Sequence, residues 1–207
     1  MQQPEPEETP AINRVAILLF DGVELLDFAG PFEVFSAARP SPDSPNRLME
    51  VFTVAEQDDP IICRNGLVVI PSYSLESCPQ ADILVIPGGQ GTRTAIHNQR
   101  LIAWICQRAG QVSLTTSVCT GSFLLAKAGL LAGKAVTTHW GSIDRLRMDF
   151  PELDVRENLR WVDEGEIITS AGVSAGIDMA LHVLDRLYGP AVAAATARGI
   201  EYDYWKS

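Results

Sequence analysis

Two short, largely apolar runs, Val15–Phe20 and Asp82–Ile86, and a third strand-like stretch of small and branched residues, Val112–Val118, each stop at residues that turn the chain. The first ends at Asp21-Gly22, the second at Pro87-Gly88-Gly89, and the third at Cys119-Thr120-Gly121-Ser122. A run of this length without regular polar alternation fits a strand buried on both faces, as in a parallel sheet covered by helices. Segments with helical spacing alternate with the runs: Val23–Ala38, Leu101–Arg108, Thr120–Leu130, Ile143–Met148, Ser174–Leu187 and Val192–Arg198. The pattern predicts an α/β fold, a three-layer α/β/α sandwich on a mostly parallel sheet. Leu159–Val162 and Glu166–Thr169, joined by Asp163-Glu164-Gly165, predict a small antiparallel extension.

Other strands are expected at Glu50–Ala55 and, briefly, at Val136–Thr138. Ile61–Cys63 and Leu67–Ile70 predict a hairpin around Asn65-Gly66. Within Val23–Ala38, Gly30-Pro31 is expected to break the helix close to Asp27, because proline lacks a donor and restricts the residue before it. Residues 1–12, rich in proline and glutamate, are expected to be a disordered tail, and residues 13–207 a single domain.

A hydrophobic fraction of 46%, a charged fraction of 20% and 207 residues suit one compact core. The net charge of −10, with no Lys/Arg cluster, argues against nucleic acid or an anionic membrane as partner. Without a signal-like N-terminus or an apolar stretch long enough to span a bilayer, the expected location is the cytoplasm. Cys63, Cys78, Cys106 and Cys119 lack metal-site spacing, although a disulfide among the first three stays open. There is no His-Glu-x-x-His pattern, acidic calcium loop or paired Cys/His cluster, so no metal is expected.

The strongest candidate site is Cys119. An apolar strand runs into it, and small residues and an apolar-periodic helix follow. Such a turn lifts a residue out at the carboxyl end of the sheet, where open α/β folds bind ligands. A helix N-terminus there would favour thiolate over thiol. Ser117-Val118-Cys119-Thr120-Gly121 resembles a nucleophile elbow without its first glycine. A buried, inert cysteine is the alternative. Pro87-Gly88-Gly89 should emerge at the same edge, where its amides form either an oxyanion hole or a plain turn. Asp27, flanked by Leu26 and Phe28, is costly to bury unless paired, protonated or used. Glu24 is the competing acid, and capping of the segment after Pro31 is the competing role for Asp27. His139 is the best candidate partner for a Cys/His pair, or else a histidine bonded to backbone and packed against Trp140.

These residues lie in stretches that resemble the DJ-1/PfpI superfamily: LLFDGVELLDFAGPFEVF (18–35), DILVIPGG (82–89), TTSVCTGSFLLAKAGLLAGKAVTTHW (115–140) and TSAGVSAGIDMALHVL (169–184). Within it the chain is similar to the isonitrile hydratase branch, which IEYDYW (200–205) also resembles, and to the ligand-sensing domains of AraC-type regulators. The resemblance implies a flavodoxin-like, class I glutamine amidotransferase-like sandwich assembled as a homodimer. It makes Cys119 the nucleophile, Asp27 the acid facing it, Thr120 a catalytic neighbour lining the site, and Gly89 with Thr120 the oxyanion hole. Thr120 stands where the PfpI-type peptidases carry histidine, which argues against proteolysis. The length leaves no room for a helix-turn-helix half, so a regulator-like chain would be a freestanding sensor.

The expected activity is cofactor-free hydration of an isonitrile, a small molecule, to an N-substituted formamide. The alternatives are glyoxalase-like chemistry on 2-oxoaldehydes, with His139 as possible acid/base, and a metabolite or redox sensor without turnover.

Overall fold

The computed structural model describes residues 13–41 and 43–204. The expected tail, residues 1–12, and Trp205 of the last resembling stretch lie outside the described residues.

Seven strands form the main sheet, in the order β10-β11-β7-β6-β1-β2-β5. They are β1 (Asn13–Leu18), β2 (Met49–Ala55), β5 (Tyr73–Ser74), β6 (Ile83–Ile86), β7 (Leu114–Val118), β10 (Trp161–Asp163) and β11 (Ile167–Ser170). Every pairing is parallel except β10 with β11, the expected antiparallel extension. The hairpin β3 (Ile61–Ile62) and β4 (Val68–Val69) stands apart, with Gly66 at φ +88° in its turn. β1, β6 and β7 are buried on both faces apart from the first two residues of β1, which explains their unalternating sequence.

From β1 to β2 the chain steps one way along the sheet, and from β6 to β7 the other way. Right-handed crossovers therefore put α1 (Leu25–Ala37) and α3 (Gln99–Ala109) on opposite faces. α1 packs with α6 (Ala175–Tyr188) and α7 (Pro190–Gly199). On the other face, α4 (Gly121–Lys127) packs with α3 and the short α2 (Thr92–Ala95). The result is the flavodoxin-like sandwich, a largely parallel sheet flanked by helices. The direction reverses between β1 and β6, and that switch point is where open α/β sheets form a ligand crevice.

Several expectations need correction. α1 runs unbroken through Pro31. The clash of a proline ring with the preceding residue involves that residue's Cβ, and Gly30 has none. Gly30 also lies against α6, where an added Cβ would meet Ile177 Cγ1 at 2.8 Å. The helix after Cys119 ends at Lys127, earlier than its apolar periodicity suggests. Gly129 at φ +75° closes it, with Gly129 N–H donating to Ala126 O and Leu130 N–H to Leu125 O. Val136–Thr138 yields only β8 (Ala135–Val136), which pairs with β9 (Asp154–Val155) outside the main sheet. α5 (Ile143–Asp149) lies between these two strands in sequence. All four cysteines are free thiols.

Candidate functional site

Cys119 occupies the turn between β7 and α4 at φ +56°, a left-handed backbone that costs a side-chain-bearing residue roughly 1–3 kcal/mol. Its surroundings hold it there. Its N–H faces the carbonyls of Ser170 and Ala171 at 3.1 and 3.4 Å. Its own carbonyl accepts from Thr138 Oγ1 at 2.8 Å and Ser122 Oγ at 3.2 Å. The sulfur is delivered to the carboxyl end of the sheet, at the edge of a cavity of about 350 Å³.

Asp27, in the first turn of α1, is fully buried beside this sulfur. Its Oδ2 accepts from Gly88 N–H at 3.0 Å, while Oδ1 is buried with no hydrogen-bond partner among the described residues. The carboxyl thus serves the loop after β6 and the sulfur, and it does not cap a segment starting at Pro31. Burial pushes its pKa up to about 7; the Glu24 charge adds to this, and the Gly88 N–H, the Cys119 thiol and Arg64 oppose it. Glu24, the competing acid, pairs with Arg64 Nη1 at 2.8 Å.

Burial also pushes the Cys119 thiol up, to about 12, with the Asp27 carboxylate as the next cause. The Thr120 backbone N–H and side chain pull it down, but less strongly. The expected preference for thiolate therefore does not follow from the helix N-terminus alone. Protonation of Asp27 removes the like charge and supplies a donor, so the state of the carboxyl controls the sulfur.

Gly89 N–H donates to Thr120 Oγ1 at 3.0 Å, and Thr92 Oγ1 lies 3.1 Å from the same oxygen. Both expected oxyanion-hole residues line the cavity, with the Gly89 amide engaged on Thr120. His139 lines it too. Its Nδ1 accepts from Gly141 N–H at 3.2 Å and its ring lies 5.4 Å from that of Trp140. The backbone-bonded role is thus present, yet the ring remains close to the sulfur. A Cβ added to Gly172 would meet Cys119 Sγ at 2.7 Å and His139 Cδ2 at 2.9 Å.

Three cavity residues carry no sequence signal: Arg64 after the hairpin strand β3, Arg93 on α2 and Arg145 on α5. No spacing rule links such distant arginines. Among the described residues no group of three or more His, Cys, Asp or Glu could hold a metal, and no helix is long and apolar enough to cross a membrane.

Residues 13–186 match the DJ-1/PfpI family. An isonitrile hydratase from Pseudomonas putida is 34% identical over 189 residues, covering 91% of this chain and 78% of that protein. The HTH-type transcriptional regulator GbdR of Pseudomonas aeruginosa is 27% identical over 198 residues. That match takes in 96% of this chain but only 53% of the regulator, so the chain spans about half its length. Among solved structures, a ThiJ/PfpI family protein from Pseudomonas syringae superposes with a TM-score of 0.83 at 29% identity, covering 100% of this chain and 83% of the other.

Proposed function

The chain belongs to the DJ-1/PfpI family, and from that premise we propose that it hydrates an isonitrile to an N-substituted formamide. One observation carries this reading: a buried carboxyl whose pKa is raised to about 7 lies beside the cysteine at the elbow. Such a group holds a proton close to neutral pH and can deliver it to carbon.

The pair loses its first proton near pH 7, and the remaining proton rests mainly on sulfur, from which it can pass to the neighbouring carboxyl. In the reacting arrangement the sulfur is thiolate and Asp27 is the acid. Sulfur attacks the terminal carbon of the isonitrile, forming a C–S bond, and that carbon takes the Asp27 proton to give a thioimidate. The Asp27 carboxylate then accepts a proton from water as the water oxygen bonds to the same carbon, and passes that proton to nitrogen. The hydroxyl proton of the adduct returns to Asp27, the C–S bond breaks, and sulfur leaves as thiolate with the formamide released. Water and isonitrile are consumed one for one, and both side chains return to their starting states. In this reading Thr120 and the Gly89 amide orient the intermediates, His139 borders the sulfur, and the protein works in the cytoplasm as a homodimer without a cofactor.

Purified protein incubated with aliphatic and aromatic isonitriles should release the matching formamides, followed by mass spectrometry. Lack of turnover across the panel, with Cys119 reduced, would overturn the assignment. A sensor without turnover is favoured by one fact, the burial that raises the thiol to about 12. It predicts at most one equivalent of modification at Cys119 and no release of product.

A further inference from the structure

The cavity over Cys119 inverts the charge balance of the chain. Arg64, Arg93 and Arg145 line it against one ionised side chain of opposite sign, Glu24, in a protein of net charge −10. Glu24 is already paired with Arg64. Arg93 and Arg145 form no ion pair among the described residues, and they approach from separate helices, α2 and α5.

Arg145 packs on an aromatic ring, and no hydrogen bond or ion pair holds it among the described residues. Its guanidinium lies 4.0 Å from the centre of the Phe123 ring, and its Nε is buried with no hydrogen-bond partner among the described residues. Burial and the Arg93 charge both oppose its own charge, and Asp149, which makes no ion pair with it among the described residues, offsets them only in part. Two like charges held beside a cavity, one with an unmatched buried donor, are unfavourable until an anion meets them. The planar fork of a guanidinium matches a carboxylate. Cys119, Arg93 and Arg145 line the same cavity of about 350 Å³, so a small molecule can reach all three.

We propose that Arg93 and Arg145 form a carboxylate subsite, and that the substrate is a small molecule with a carboxylate at one end and the group attacked by Cys119 at the other. Only the identity of the attacked group rests on the isonitrile reading; the subsite does not.

The test compares alkylation by anionic iodoacetate and neutral iodoacetamide, mapped to individual cysteines by mass spectrometry. Exposed Cys106 is the internal reference. The iodoacetate-to-iodoacetamide rate ratio at Cys119 should exceed that at Cys106 by at least about tenfold at low salt and shrink as salt is added. It should collapse toward the Cys106 value in Arg93→Met and in Arg145→Met. Should Arg145→Met fail to fold, exposed Arg93 and the salt series decide. Thermal shifts read the subsite without labelling: benzoate should stabilise the wild type but not the Arg93→Met variant, and benzamide should stabilise neither. Absence of benzoate stabilisation together with no charge preference at Cys119 overturns the proposal, as does stabilisation by inorganic phosphate alone. Isocyanoacetate and its methyl ester separate the two readings. If neither is hydrated while the charge preference holds, the isonitrile chemistry fails and the subsite stands. If only the ester is hydrated, the subsite fails and the chemistry stands.

Discussion

The Gly89 amide donates to Thr120 Oγ1 at 3.0 Å, tying the loop after β6 to the first residue beyond the elbow. The hydroxyl is also 3.2 Å from the Gly89 carbonyl and 3.1 Å from Thr92 Oγ1. Thr120→Val removes this junction while keeping the shape of the side chain; Thr120→Ser keeps the hydroxyl. Loss of one such oriented group should lower kcat by about 100-fold in the valine variant. The serine variant should stay within about tenfold of wild type, since the hydrogen-bonding atom is retained. Steady-state rates on a turned-over isonitrile, with melting temperatures as the folding control, check both.

Asp27 and Cys119 should behave as one unit. Cys119→Ser should abolish turnover. Asp27→Asn should remain folded and still alkylate at Cys119, yet lose at least about 100-fold in rate, because an amide cannot transfer the proton. The double variant should be no worse than Cys119→Ser alone. Near-wild-type turnover in a folded Asp27→Asn protein would remove Asp27 from the mechanism.

The raised Asp27 pKa makes a signed claim about pH and stability. Between pH 4 and 7 the folded protein keeps a proton on Asp27 that the unfolded chain has released. Raising the pH through this window therefore costs stability, with a slope of up to about 1.4 kcal/mol per pH unit from this one group. Denaturant titrations of wild type and Asp27→Asn at several pH values isolate it: the difference between the two proteins should carry the slope.

Activity should move in the opposite direction. The singly protonated pair, which contains the reactive arrangement, accumulates as the pH rises through about 7, so kcat/KM should climb there and level off. The inflection should vanish in Asp27→Asn, where the thiol titrates without a carboxylate neighbour. A pH profile with the same midpoint in both proteins would assign the ionisation elsewhere.

Gly172 separates the Cys119 sulfur on one side from the His139 imidazole on the other. Gly172→Ala puts a methyl group 2.7 Å from Cys119 Sγ and 2.9 Å from His139 Cδ2. One of them must move, and overpacking of this kind typically costs about 1–3 kcal/mol. Turnover and Cys119 alkylation should both fall, while alkylation of Cys106 stays constant.

Much of the scaffold was legible because burial on two faces leaves a plain mark in the sequence. β1, β6 and β7 lack polar alternation, and Asn65-Gly66 marks the hairpin turn. Pro31 misled because Gly30, lacking a Cβ, relieves part of the clash with the preceding residue, and packing of α1 on α6 carries the helix through the missing donor. β5, with two residues, is too short to have a period. At the site, the elbow was visible as a strand meeting small residues. The engagement of the Gly89 amide by Thr120 was not, since a backbone donor leaves no residue-type signal. Nor was the arginine pair visible, because only the packing of α2 and α5 around the elbow brings Arg93 and Arg145 to one cavity.

The main sheet ends on two very short strands, two-residue β5 on one side and three-residue β10 on the other. Edges this short offer almost no template for a strand from another chain, and on β5 the Ser74 N–H is already taken by Ser77 Oγ at 3.0 Å. The sheet is thereby insulated against growth by edge-to-edge stacking. Association between copies would run through side chains, for which the hairpin presents Ile62, Val68 and Ile70 to solvent.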